Sequence, residues 1–502
     1  MRNSLFLGYW VLCSSLCSAQ SGFNKRHDPL QQLEADFGWS IEPCDSGGYL
    51  VVSNCPWTDS LEYGSVVVVS RIDEQGALIA EHRFIDIGYW NYPGWSNSSG
   101  ALNDGGLVIG GNRVGAQEDS RASLFLFDSV GLPGQHYHFG EAGETWVGRQ
   151  AKQAPDGGFV LAGSRSQDAD NQGFLLKTDA NGAQVWVQAF GGPSLDLFYA
   201  VDAVGEDYYL GGQFSVTVSN RDHWIVRVGP LGEQRWQRIW GGPYNDPAAH
   251  LQTCADGHVL MASGRKYNNN SGVNHLYMAK LDSADGSTLW ENTYGIPTVN
   301  TTLFAVKEVE PIGDLIATGQ ALDDNGEVGV LLRTTSAGDS LWMRYYTYYD
   351  VVIDTGDAQL RDVLPTPDGG FIAVGVAFGT GPYSQDVWVI KTDSMGCIEP
   401  GCNLIMGMET QITNLRDVLR VSPNPVPSAS SVQVQLDLPA TFGPQGALRL
   451  TVVSSDGRVV REEQLTSPSS PFTLQAPTSA GLYHIHLSDA TRWISGAKLV
   501  VE

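Results

Sequence analysis

The stretch Pro155-Asp156-Gly157-Gly158-Phe159-Val160-Leu161-Ala162-Gly163 decides the fold, because the chain says it repeatedly. The same turn-plus-strand phrase stands at Asp45–Ser53, Asn103–Gly111, Gly205–Gly212, Ala255–Gly264, Ile312–Gly319 and Pro367–Gly375, at intervals of 49 to 58 residues. Asp-Gly or Gly-Gly between apolar runs is a hairpin turn, since those residues tolerate positive φ. A second strand phrase follows at Gly173–Asp179, His223–Val228, Leu276–Asp282 and Val387–Asp393. A third, Gly-x-x-x-Trp, occurs at Gly182/Trp186, Gly232/Trp236, Gly286/Trp290 and Gly338/Trp342. Each unit therefore offers four strands. The expected fold is all-β: a seven-bladed β-propeller over residues 20–405, followed by a small C-terminal β-sandwich. Trp186, Trp236, Trp290 and Trp342 share one register and are read as blade-packing rings. The seventh unit ends without its Trp strand, so the N-terminal stretch Asn24 to Phe37 is expected to close the ring.

Composition agrees. The 502 residues include 58 Gly and 14 Trp, turn formers paired with large aromatics, and 42% are apolar. Lys plus Arg is 30 against 55 for Asp plus Glu, a net charge of −25. That excludes nucleic acid and anionic lipid as main partners.

Residues 1–19 read as a signal peptide: Arg2, an apolar run from Leu5 to Leu16, then the small residues before Gln20. The run is shorter than the roughly 20 residues of a membrane span, and none is expected elsewhere. After a linker at 406–420, residues 421–502 form the sandwich. Its landmarks are Pro423-Asn424-Pro425, Asp456-Gly457-Arg458, Gly481-x-Tyr483 and a terminal strand from Lys498. Taken together these resemble the C-terminal sorting domain of type IX secretion cargo. The resemblance implies a secreted protein, extracellular or held on the surface of a Gram-negative outer membrane. Its implied partners are the type IX translocon and its sorting protease. The propeller itself resembles the uncharacterised Asp-Gly-Gly propellers often joined to such domains. Five Asp-Ser-apolar triplets, at Asp59, Asp128, Asp282, Asp339 and Asp393, resemble bacterial O-glycosylation acceptors and read equally as turns.

Five cysteines lie beyond the signal. Export permits disulfides. Cys397 and Cys402 close a short loop and are expected to pair. Cys44 sits at a turn with Cys55 far down the next strand, so Cys55 pairs elsewhere or the turn is misread. Cys254 reads as a buried thiol. No spacing fits zinc.

His-Glu-x-x-His, Gly-x-Ser-x-Gly and phosphate loops are absent, so no catalytic or cofactor-binding residue is assigned. His136 and His138 share a strand face and read as exposed histidines. Asp168, Asp170 and Asp179 resemble a calcium loop, but Phe174–Lys177 reads as a strand, so an acidic turn without metal is expected. Lys280–Trp290 resembles the tryptophan-docking repeat of quinoprotein dehydrogenases without their adjacent cysteines. Thr178–Trp186 resembles the sialidase Asp-box without its spacing. The leading expectation is a binding protein holding a glycan or extracellular protein on one mouth of the ring. The alternatives are a secreted hydrolase or lyase with loop-borne carboxylates, and a structural scaffold.

Overall fold

The computed structural model describes the chain except residues 1–21, 29–34, 59–62, 116–119, 168–169, 193, 267–272, 296–297, 324–325, 349–353, 380–384, 403–408, 413–414, 416–417, 440–441, 445, 456–457 and 466–470. The expected signal peptide, Asp59, Asp168, Asp456 and Gly457 therefore lie outside the described residues. The described residues form strands and turns without a helix, and so none that could cross a membrane.

Seven antiparallel groups of four strands follow one another among the described residues. Sheet I comprises Phe37–Pro43, Tyr49–Thr58, Tyr63–Ile72 and Leu78–Phe84. Sheet II has its inner strand in two pieces, Tyr89–Pro93 and Ser99–Ala101, then Leu107–Gly115, Arg121–Phe127 and Pro133–Phe139. Sheets III to VI begin at Thr145–Gln153, Leu197–Val204, His250–Thr253 and Asn300–Val309. Sheet VII comprises Asp354–Pro365, Phe371–Gly379 and Gln385–Thr392.

Its fourth strand comes from the N-terminal stretch. Phe23–His27 pairs antiparallel with Val387–Lys391, and Trp388 donates its indole N–H to Asn24 Oδ1 at 2.6 Å. The expected donor stretch reached Phe37, but Phe37 already begins the inner strand of sheet I. Each sheet packs on the next, and sheet VII packs back on sheet I through Phe37–Pro43 and Phe371–Gly379. A closed ring of radially repeated four-stranded sheets is a β-propeller. Its core lies between sheets, where Phe174, Trp224, Tyr277, Leu331 and Trp388 are buried.

The repeat phrases have physical work to do. The cation of the second phrase reaches back to the acid of the turn in its own sheet: Lys177 to Asp156 at 2.7 Å, Lys280 to Asp256 at 2.6 Å, Lys391 to Asp368 at 2.9 Å. Each register tryptophan reaches forward. Trp186, Trp236, Trp290 and Trp342 donate indole N–H to Pro230, Ser283, Ser336 and Ser394 carbonyls in the next sheet's outer hairpin. The ring lies under that hairpin's glycine: at Gly286 (φ +75°) a Cβ would stand 2.9 Å from Trp236. Glycine is required there both for φ and for space. The Asp-Ser pairs at 128, 282 and 393 are turns whose carboxylate accepts the N–H two residues on.

The C-terminal residues form a three-stranded sheet, Leu419–Ser422, Ser431–Leu436 and Phe472–Gln475, and a second group, Arg449–Ser454, Val459–Gln464, Gly481–Ser488 and Arg492–Val501. One core joins them, including Val432, Val434, Val452, Ile485 and Leu487. Residues 406–420 are more than the linker expected of them. Glu409–Ile412 runs parallel to Met343–Tyr346 on one side and meets Arg492–Trp493 on the other. Leu415 and Val418 are buried in the C-terminal core. The strand Glu409–Ile412, between Met343–Tyr346 and Arg492–Trp493, ties the unit to the ring.

Candidate functional site

The inner strands of five sheets carry a β-bulge at one level, each with one residue unmatched in its register: Trp39, Arg149, Tyr199, Phe304 and Arg361. A bulge re-aims a side chain out of the strand alternation. In sheet II the same level falls in the gap of the inner strand, where Asn97 adopts φ 58° and Trp95 stands 51% exposed. Sheet V places His250 there. The bulged residues lie about seven positions before the Asp-Gly turn of their own sheet, on the order of 20 Å from it along the inner strand.

Their side chains touch in a circuit. Trp39 stacks with Trp95 at 6.3 Å between centroids, and Trp95 meets Tyr199 at 6.2 Å. Tyr199 meets His250 at 6.1 Å, and His250 meets Phe304 at 6.3 Å. Arg361 closes the ring, 4.4 Å from the Phe304 centroid and 5.5 Å from Trp39. Arg149 lies over Trp95 and Tyr199 at 4.8 and 5.0 Å. Seven sheets thus contribute an aromatic and guanidinium collar around the channel. Burial pulls both arginines down, Arg361 to about 10. Burial, helped by Arg361, pulls His250 to about 3, so it is neutral at ordinary pH.

Beneath the collar the channel is bridged. Lys307 of sheet VI donates to Asn97 Oδ1 of sheet II at 3.1 Å, and Lys152 donates to the Ser99 carbonyl at 3.0 Å. Burial and the neighbouring Lys307 both depress Lys152. The channel carboxylates are engaged in joining sheets. Asp362 accepts from Ser40 Oγ and the Ile41 N–H, and burial raises it against those bonds. Glu42 accepts from Ser99 Oγ, and Asp202 from the Thr253 N–H and hydroxyl. None of these is poised as a paired acid and base. At the far mouth a cavity of about 740 Å³ is lined by the Asp-Gly turns with Glu74, Glu308 and Glu310.

The calcium reading does not assemble. Asp170 and Asp179 stand at opposite ends of the strand Asp170–Thr178, on the order of 25–30 Å apart. Asp179 accepts the N–H groups of Asn181 and Ala183 as a turn former. A different carboxylate trio stands close together, Asp28, Asp36 and Asp386. Burial pushes Asp36 up to about 8. Asp36 occupies the strand-entry place held by Asp196 and Asp246 in sheets IV and V, and all three donate backbone N–H to the neighbouring sheet. Asp196 and Asp246 each accept backbone N–H groups at that corner. Asp386 is paired with Arg26. The trio stands at a corner of the ring closure.

Cys397 and Cys402 form a disulfide, with Cα atoms 5.5 Å apart. Cys44, Cys55 and Cys254 are buried free thiols. The Cys44 turn is as read, with Cys44 S–H bonded to the Ser129 carbonyl, while Cys55 lies beside Asp36. His136 and His138 pack at 5.1 Å, and burial lowers His138 to about 4, so His138 is not the surface histidine expected.

The sorting landmarks meet where described. Asn424 donates to the Lys498 carbonyl and accepts from the Val500 N–H, so the Pro423–Pro425 entry is bonded to the terminal strand. Tyr483, two residues after Gly481, is buried and donates to the Ser479 carbonyl. Arg458 closes its turn on Ser454. The Cys397–Cys402 loop lies against this unit: Trp493 shares its core, and His486 joins Trp493 to the Pro400 carbonyl. Trp493 donates to His486 Nδ1, leaving Nε2–H to donate to Pro400, which requires a neutral ring. Burial lowers His486 to about 4.

The collar was missed in sequence because it breaks the repeat. Its residue types differ from sheet to sheet, and the bulge that aims them leaves no composition signal.

No family model matches the chain, nor does any curated protein. Among solved structures, Sqt1 from Chaetomium thermophilum is similar at 12% identity over 72% of this chain and 87% of that one, TM-score 0.40. A second Sqt1 structure gives 13% identity over 74% and 98%, TM-score 0.36. The β-propeller domain of the Trilobed protease from Pyrococcus furiosus gives 10% identity over 71% and 95%, TM-score 0.40. The propeller assignment rests on this chain's own strand pairing and ring closure. Fold and site together define a β-propeller with a furnished channel mouth.

Proposed function

We propose that the chain is a seven-bladed propeller of the binding type, carried to the cell exterior by a C-terminal sorting β-sandwich of the type IX pathway. Seven four-stranded groups in ring order support the blade count. Two sheets around one core support the sandwich. The export reading rests on the sequence landmarks, and the bonds of Asn424 to the terminal strand give two of them a joint role.

The observation that carries the binding reading is the collar of Trp39, Trp95, Arg149, Tyr199, Phe304 and Arg361. Flat rings contributed by several blades, with Trp95 half exposed, are suited to a glycan, or to an extracellular protein presenting one. The test is an array of glycans and matrix proteins probed with residues 20–502, reading bound ligand and released product together. Binding without product supports the reading. Turnover replaces it with the hydrolase, and silence on both leaves the scaffold. Export is tested in a type IX-competent cell: a chain lacking 421–502 is expected to stay behind the outer membrane. Finding it in the medium at normal yield overturns the sorting assignment.

A further inference from the structure

Charge bookkeeping singles out the collar. This chain has 55 acids for 30 basic residues, so a counter-ion is seldom far away. Several buried or half-buried cations elsewhere find one: Lys177 with Asp156, Arg227 with Asp207, Lys280 with Asp256, Arg333 with Asp314, Lys391 with Glu74 and Asp368, Arg492 with Asp489. The collar arginines differ. Arg149 has no hydrogen bond or ion pair among the described residues, and its Nε is a buried donor without an acceptor. Arg361 donates to the neutral amide of Gln359, and its Nε is likewise buried without an acceptor. The amide of Gln359 in turn holds Glu327, whose charge acts on Arg361 without a direct ion pair. What the two guanidiniums do have is aromatic faces. Arg149 lies on Trp95 and Tyr199, Arg361 on Trp39 and Phe304, with the stacked Trp39–Trp95 pair between them.

A cation held on rings without a direct ion pair keeps donors of its fork for an incoming anion. A guanidinium matches a carboxylate with two parallel bonds, and the site loses little by waiting, because the fork is rigid. The indole of Trp95, half exposed, can take the apolar C–H face of a pyranose. We propose that the collar binds an acidic saccharide, a sugar ring against the exposed Trp95 and carboxylates on Arg149 and Arg361, one on either side of the Trp39–Trp95 pair. This deepens the binding reading and rests on it.

The test uses residues 20–502 and calorimetric titration with three acidic probes: trigalacturonate, an alginate trimer and sialyllactose. Each is paired with its methyl ester. At least one acid is expected to bind about 10-fold or more tighter than its ester, with affinity falling as salt rises. Arg149→Met and Arg361→Met are each expected to remove most of that difference, and Trp95→Ala to weaken both forms. The acid–ester comparison needs no variant, so it stands even where a substitution disturbs folding. Equal binding of acid and ester overturns the carboxylate assignment while the glycan reading survives. Binding of an acidic peptide such as polyglutamate with none of the saccharides overturns the saccharide. No binding of any probe, together with silence on the neutral glycan and matrix-protein array, overturns the binding reading as well.

Discussion

At the end of the ring that carries the Asp-Gly turns, sheet after sheet does the same thing. A lysine or arginine reaches back to a turn acid, and a tryptophan reaches forward under the next sheet's hairpin glycine. Away from those turns the bulged positions hold tryptophan, arginine, tyrosine, phenylalanine and arginine in turn, and their cations lie on aromatic rings without a direct ion pair. One backbone plan serves both ends. The difference teaches where selection for stability stops: repetition marks contacts between neighbours, and departure from repetition marks what the ring offers to something else. Substitutions at the two ends should therefore fail in different ways.

The largest effect is expected from Trp342→Ala, because Trp342 is 2% exposed and packs in the core shared with Tyr346, Phe371 and Trp493. Loss of such a ring costs about 3–5 kcal/mol, to be read as a fall in the urea midpoint. A shift smaller than about 1 kcal/mol would break the claim that these tryptophans fasten neighbouring sheets.

Next comes an acid effect. His250 is held near 3 by burial and by Arg361, below the 6.5 of the free group. A depressed histidine stays neutral in the fold while the unfolded chain takes up a proton, so stability falls as pH drops from about 6.5 toward 3. His250→Phe keeps the ring contacts with Tyr199 and Phe304 and removes that uptake. It is expected to flatten the curve of melting temperature against pH, by the equivalent of about 2–3 kcal/mol at pH 4. An unchanged slope would mean that His250 titrates normally. His138 and His486, held near 4, and His223, held near 3, leave a residual slope of the same sign.

How far the sequence could be read follows the same division. The hairpin turns, the strand phrases, the tryptophan register and the disulfide were legible, because each is a local pattern with a local cause. Closure by the N-terminal stretch followed from counting strands, since a ring missing one strand must borrow it. The collar was not legible. Bulges at Trp39, Arg149 and Arg361 are set by pairing with the second strand, a relation between residues about a dozen apart that no period announces. The fit between His486, Trp493 and Pro400 was equally invisible, since it joins residues 86 apart in the chain. Asp170 and Asp179 show the opposite error: spacing suggested one loop, and the strand between them carries them apart.

The two smallest effects sharpen the comparison most. Lys280→Met removes a cation whose side chain is 8% exposed from an acid, Asp256, that is half in water. Burial alone would raise Asp256, but its bonds to Lys280 and to the His258 N–H hold it low. That contribution is present above the unfolded carboxylate pKa and is lost as pH falls through the folded one. The variant should therefore lose about 1 kcal/mol at pH 7 and nothing near pH 2, read from melting temperatures at the two values. Arg149→Met should behave otherwise. The guanidinium is buried with no carboxylate to offset its lost hydration, and methionine keeps the contact with Trp95 and Tyr199. Its melting temperature should stay within the equivalent of about 0.5 kcal/mol of the parent, or rise, at every pH. A fall comparable to that of Lys280→Met would mean that Arg149 fastens the ring as the repeat cations do, and the two ends would no longer differ in kind.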